Sequence, residues 1–288
     1  MTTQPAFVKD RLNTWVEGTD VLDRMAPEWR DNLGPADLVR KMFASYKSKA
    51  LYLDAATTAR GDLVIAGPGY EDATFCWHGT VEEGYFLEGG IKLTDEGNFG
   101  PGDYFWRPPG FIHSAFSETG FKAVFFLEGR SPTEGSGPAS RVVSPPESAG
   151  TNALQKDFEM AIGPRGWVRH ARASHMPWIP GGAYALTQGD MSSVDVAQVA
   201  AKVLSSNVRT GAQTTLLRLE PGFRLARPVI SASTLRLFVI EGTLQFGGEA
   251  LTADDFVSWP SGTPWTAVTS SGATLLMKSD GRIDLRTT

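Results

Sequence analysis

The chain of 288 residues holds one cysteine, Cys76, and four histidines. A single thiol excludes an intrachain disulfide and any zinc motif built from several cysteines. Long apolar runs are missing: no stretch approaches the ~20 residues of a membrane-spanning helix. The opening residues, MTTQPAFVKDRLNTWVEG, lack the basic start and apolar run of a secretory signal, so the expected location is the cytoplasm. Charge of one sign is not concentrated anywhere. Lys and Arg total 27 against 32 Asp and Glu, a net charge of −5. That balance, with no basic block, argues against nucleic acid or an anionic membrane as partner. Neither a Gly-rich phosphate loop nor a Gly-x-Ser-x-Gly nucleophile motif occurs.

What is present is ordinary globular composition, 41% hydrophobic and 20% charged, in a chain long enough for two self-sufficient modules. Residues 1–50 read as a mixed N-terminal extension. Within it Pro35-Ala36-Asp37 opens an amphipathic helix over 38–47, with proline in the first turn. Residues 51–130 change to short apolar or alternating runs cut by Gly, Pro, Asp and Asn, the pattern of a sandwich or barrel. Residues 131–159 read as a linker, since 131–152 are rich in Ser, Pro and Gly. Residues 160–288 resume the strand pattern, broken by a short helix expected over 194–206 (VDVAQVAAKVLSS).

The second half repeats the first. Residues 108–130 align without a gap on 260–282, with Pro108 on Pro260, Gly110 on Gly262, Gly120 on Gly272 and Gly129-Arg130 on Gly281-Arg282. Upstream, Pro68-Gly69-Tyr70 meets Pro221-Gly222-Phe223, and Leu87-Glu88-Gly89 meets Ile240-Glu241-Gly242. Such a repeat sets the architecture and supplies an internal control. Copy one carries Cys76, His78, Glu82 and His113; copy two has Val229, Ser231, Leu235 and Trp265 in their places. A metal site is therefore expected in copy one and not in copy two.

Copy one reads Cys76-x-His78-x3-Glu82-x6-Gly89, then Gly102-x5-Pro108-x-Gly110-x2-His113. This resembles the two motifs of the cupin superfamily over about residues 60–130, with cysteine in place of the first histidine. The resemblance does not reach the first 50 residues. It implies an all-β chain of two double-stranded β-helix (jelly-roll) barrels, a bicupin with a few flanking helices. Strand alternation agrees: Cys76 and His78 face one way and Trp77 the other. His113 follows a Pro-Gly turn, and four donors can then converge in a barrel mouth. Glu82 is selected over Glu83 by both spacings, and alternation turns Glu83 away.

His78, Glu82 and His113 form a two-histidine, one-carboxylate set, which suits non-haem Fe(II) and oxygen and also admits Mn, Ni, Co or Zn. Three readings of Cys76 stay open: a thiolate ligand, a pocket wall, or a small buried residue. Around the site crowd Phe75, Trp77, Tyr85, Phe86, Tyr104, Phe105, Trp106 and Phe111. Most belong to the core; those at the mouth favour a flat, apolar or aromatic substrate. Tyr104 is the candidate proton donor, and Arg107 the candidate holder of a substrate carboxylate or phenolate. His170 and His175, five apart, share no strand or helix face and read as structural.

The function expected first is a metal-dependent enzyme, an oxygenase acting on a small organic molecule. Relatives by motif also act as lyases, isomerases and cyclases, where the metal is a Lewis acid, and the fold alone does not choose. A metal- or ligand-sensing module would need a partner element that the sequence does not show. A storage or scaffold role would not require the ligands that copy one keeps. A homodimer is left open.

Overall fold

Runs of β-branched and aromatic residues cut by glycine and proline form strands in both halves of the chain. The computed structural model describes residues 4–25, 27–31, 33–54, 59–78, 80–94, 96–107, 111–128, 140–143, 169–181, 195–206 and 211–287. The chain divides into two compact units, Thr14–Ser174 and Met1–Asn13 with His175–Thr288. Both are all-β jelly-roll barrels of antiparallel strands. Among the described residues, no helix is long and apolar enough to cross a membrane.

In the unit 14–174 a seven-stranded sheet runs Arg169–Arg172, Asp103–Arg107, Glu82–Gly89, Phe121–Leu127, Arg60–Ala66, Tyr46–Leu53 and Val16–Glu17. A four-stranded sheet runs Tyr70–Glu71, Ala115–Ser117, Ile91–Leu93 and Gly97–Phe99. Phe86, Phe105 and Phe121 of the first sheet pack with Ile91, Leu93 and Phe99 of the second in one buried cluster. A third pair, Phe75–His78 with Ser140–Val143, carries the first two candidate ligands. The other unit is organised around Leu235–Phe246, flanked by Phe256–Trp259 and Ala273–Ser279, and Leu235, Leu237, Val239, Val257 and Leu275 join its apolar core.

The repeat is structural. Gly89 and Gly242 both take positive φ, 71° and 84°. A Cβ added to Gly89 would lie 2.1 Å from the carbonyl oxygen of Gly120, and one on Gly242 would lie 2.2 Å from that of Gly272. Only glycine fits such an approach. Asp254 (φ 68°) stands where copy one has Gly102 (φ 84°). The next residue plays one role in both copies: the Asp103 carboxylate accepts from the Gly100 N–H, and that of Asp255 from the Thr252 N–H, each at 2.9 Å.

Several expectations change. The helix Ala36–Ala44 follows Pro35 as expected and buries Val39 and Phe43 against Leu22. It stops at Ser45, because Tyr46 already begins the strand Tyr46–Leu53. The expected helix over 194–206 is instead a 3-10 turn, Val196–Gln198, and a strand, Val199–Ser206, paired with Gln213–Leu219. Burial on both faces of that strand hides the period of two, so its alanines mimic helix propensity. The expected extension 1–50 is shared out: Ala6–Val8 pairs with Phe256–Trp259, while residues from Thr14 onward belong to the first unit. The strand Arg169–Arg172, expected in the second barrel, pairs with Asp103–Arg107 of the first. Of the expected linker only 140–143 is described, and it is a strand; the rest of 131–159 lies outside the described residues.

Candidate metal site

Strand pairing brings the donors together. Cys76 and His113 sit opposite each other on antiparallel backbone and exchange both hydrogen bonds at 2.9 Å. His78 follows two residues after Cys76, on the same face. Glu82 opens the strand Glu82–Gly89. The donor atoms of Cys76, His78 and His113 all lie within 4.8 Å of one another. Cys76 Sγ is 3.6 Å from His113 Nε2. Glu82 Oε1 is 3.6 Å from His78 Nε2, and Oε2 is 3.7 Å from His113 Nε2. Two ligands bonded at ~2.1 Å in a tetrahedral arrangement would stand about 3.4 Å apart. Cys76, His78 and His113 therefore stand at a spacing that fits a transition-metal ion, with Glu82 beside both histidines through a different oxygen to each.

His113 is held ready for that role. Its Nδ1 lies 3.0 Å from the Phe111 carbonyl oxygen. The proton on Nδ1 donates there, leaving the Nε2 lone pair toward the cluster. Burial and the Arg107 charge push its pKa down to about 3, and burial lowers that of His78. Both imidazoles are then neutral at pH 7, as ligation requires. Burial would raise the Glu82 carboxyl, but His78, Arg107 and His113 outweigh it and bring it to about 2. The Cys76 thiol is pushed up by burial, and by Asp72 and Glu82 beside it; a bound cation acts in the opposite sense.

Arg107 is placed otherwise than expected. Register sets it opposite Glu82. Its Nη1 donates to Glu82 Oε2 at 2.6 Å and its Nε to Glu96 Oε2 at 2.7 Å, with the guanidinium over the Phe105 ring. Two carboxylates of the chain occupy this buried arginine, so it orients Glu82 rather than gripping a substrate acid. Tyr104 is not brought to the cluster. It lies on the other face of its strand, and its hydroxyl donates to the Glu83 carboxylate at 3.0 Å. The same bond shows that Glu83 is turned away from the ligands, as alternation requires.

The ligands open into a cavity of about 480 Å³. Of the eight aromatics singled out from sequence, Phe105 lines it; the other aromatic side chains in its wall are Phe43, Tyr46, Tyr70, Phe121 and Phe125. Phe86, Tyr104 and Trp106 are core. The Trp77 side chain and the turn 108–110 lie outside the described residues. His170 is structural, stacked on Phe99 at 3.9 Å.

Sequence reasoning missed four polar residues. Glu96 sits in a turn with no motif spacing. Asp72, just after the strand Tyr70–Glu71, and Arg60 and Asp62, in the strand Arg60–Ala66, line the cavity from segments that read as generic. Tyr70 donates to Asp72 Oδ1 at 2.6 Å, and burial pushes the Asp72 carboxyl up to about 6. For Arg60 and Asp62 alone a signal existed: polar residues at i and i+2 share a strand face.

Copy two shows the same frame emptied of chemistry. Val229 and Trp265 exchange both backbone bonds, at 3.0 and 2.8 Å, as Cys76 and His113 do. Val229 and Leu235 join the apolar core, Ser231 is buried beside them, and Trp265 stacks on Phe246 at 4.9 Å. The remaining cavity is about 70 Å³.

No protein-family model matches the chain, and no curated protein matches it by sequence. Solved structures do. A protein of Nostoc punctiforme PCC 73102, described as a candidate dioxygenase, superposes over 100% of this chain and 88% of its own, with a TM-score of 0.73 at 15% identity. The Escherichia coli protein Ylba covers 84% of this chain and 85% of its own, with a TM-score of 0.54 at 12% identity. Oxalate decarboxylase from Bacillus subtilis covers 84% and 74%, with a TM-score of 0.50 at 14% identity. At such low identity these likenesses show the fold. The chain is an all-β protein with the jelly-roll fold of these neighbours, and its first barrel brings Cys76, His78 and His113 together with Glu82 beside the two histidines.

Proposed function

We propose that the chain is a metal-dependent enzyme whose site is the first barrel, and that it oxygenates a small, largely apolar organic molecule at a divalent iron. The observation that carries this reading is the convergence of His78, Glu82, His113 and Cys76 on one end of a 480 Å³ cavity with aromatic walls. A two-histidine, one-carboxylate set leaves coordination positions open. The candidate dioxygenase from Nostoc, similar over the whole chain, supports the preference for oxygen chemistry.

Bound there, iron would supply the one-electron chemistry that oxygen activation needs. The chain supplies the rest. His78 and His113 present neutral nitrogens. Arg107 fixes one oxygen of Glu82 and leaves the other beside His78. Tyr46, Tyr70, Phe105, Phe121 and Phe125 shape a dry wall against a flat substrate and exclude bulk water.

One feature favours a second reading. Cys76 Sγ lies 3.6 Å from His113 Nε2, within ligand spacing. A thiolate in the set suits zinc, and Lewis-acid chemistry of the lyase or isomerase kind would follow.

Metal content decides between them. Protein purified anaerobically without added metal is analysed by inductively coupled plasma mass spectrometry. Near-stoichiometric iron, with oxygen uptake on a panel of small aromatic and diketone-like substrates, is the expected result. Zinc, nickel or manganese at one per chain moves the assignment to Lewis-acid chemistry. No metal after reconstitution rejects the metalloenzyme.

A further inference from the structure

We infer that Arg60 recognises the substrate of this cavity, and that the substrate is a small organic carboxylate with an apolar body. The inference rests on the reading of the first barrel as a substrate site and adds the chemical class.

Strand pairing places Leu127 opposite both Glu82 and Arg60. Arg107 stands opposite Glu82 on the other side. Arg107, Glu82, Leu127 and Arg60 thus form one row across the barrel wall, and all four line the cavity. Neighbouring strands are ~4.8 Å apart, so the Arg60 backbone is about 10 Å from that of Glu82. The next row is Phe105, Gly84, Phe125 and Asp62. It is aromatic where it runs beneath the space between ligands and arginine. At Gly84 a Cβ would meet the Phe105 ring at 2.4 Å, so glycine allows the ring to lie flat against the strand.

The two arginines of the row differ in what they have left to offer. Arg107 is closed by Glu82 and Glu96. Arg60 has one ion pair among the described residues, Nε to Asp62 Oδ2 at 3.3 Å, and its side chain is 54% exposed at the mouth. That contact is made by Nε, and the residue lines the cavity with more than half of its side chain open to solvent. Asp62 competes for Arg60 through that single contact. The Arg60 charge is near enough to the ligand cluster to act on His78. A guanidinium fork matches a carboxylate in geometry and charge. A carboxylate on Arg60 would lay an apolar body over Leu127 and Phe125 toward the ligands. The role that sequence suggested for Arg107 thus falls to the arginine three strands away.

The test uses metal-free full-length protein, so that a carboxylate cannot bind to the metal instead. Benzoate and its neutral analogue benzamide are titrated by isothermal calorimetry. Benzoate is expected to bind at least ~10-fold more tightly than benzamide, the effect of one charge-assisted pair. Arg60→Gln is expected to bring benzoate down to the level of benzamide. Asp62→Asn, which removes the competing carboxylate, is expected to tighten benzoate and leave benzamide unchanged. Circular dichroism confirms that both variants fold. Equal affinities in the native protein, no binding of either probe, or unchanged benzoate binding in Arg60→Gln would overturn the proposal. A positive result stands whatever metal the protein holds, and the metal analysis above judges the enzyme reading separately.

Discussion

Two arginines one cavity apart show that environment assigns the role of a residue. Arg107 spends its donors on Glu82 and Glu96 and thereby orients the Glu82 carboxylate; Arg60, which lines the cavity, pairs with Asp62 through Nε. At this scale the clustering of Cys76, His78, Glu82 and His113 was legible from spacing, as was the turning of Glu83 away from them. Glu96, Asp72 and Arg60 were not, because they reach the site through strand register that no local spacing encodes. The ligand assignment has a direct test. His78→Ala or His113→Ala should lose metal retention, while Trp265→Ala, at the matching place in copy two, should keep it; the readout is metal per chain after gel filtration. Stoichiometric metal in the His113 variant would remove that residue from the set. Asp72 offers a pH test on the metal-free protein. Its carboxyl is raised from 3.8 to about 6, so its contribution to stability is fully present below about pH 4 and lost as pH rises through about 6. The shift is worth up to ~3 kcal/mol. Asp72→Asn should therefore be more stable than the native protein at pH 8, with the difference vanishing toward pH 4. Urea denaturation across that range checks it, and a difference independent of pH would show that the carboxyl is not raised.

Elements follow the same logic one level up. The glycine repeat was legible because Gly89 and Gly242 must adopt positive φ against a carbonyl 2.1 and 2.2 Å from any Cβ. The strand Val199–Ser206 was misread as a helix because its neighbours bury both faces. The N-terminal residues carried no sign of their destinations, since Ala6–Val8 joins a strand more than two hundred residues away. Equivalent glycines should carry equivalent cost. Gly89→Ala and Gly242→Ala should each destabilise by about 2 kcal/mol or more, through a strained backbone and a displaced partner strand. Equilibrium unfolding in urea measures both. If Gly242→Ala alone were costly, the Gly89–Gly120 approach would not be the tight contact described.

At the scale of the whole molecule, duplication has separated two tasks that one barrel must otherwise combine. Barrel one keeps polar donors inside at the expense of packing and holds a cavity of about 480 Å³. Barrel two has exchanged the donors for Val229, Leu235 and Trp265 and reduced its cavity to about 70 Å³. A ligand that binds only the folded state raises stability by about 2.7 kcal/mol at a hundredfold excess over its Kd. That gain belongs to the barrel that holds the site. Scanning calorimetry of chelated and reconstituted protein should therefore show a transition that moves up with metal and another that does not, at one metal per chain. His113→Ala should fix the first transition at its chelated position without touching the second. Two metals per chain, or both transitions moving together by the same amount in the native protein and neither in His113→Ala, would mean that the second barrel shares in the site after all. One metal with one mobile transition would mean that the loss of Cys76, His78, Glu82 and His113 equivalents has turned copy two into packing alone.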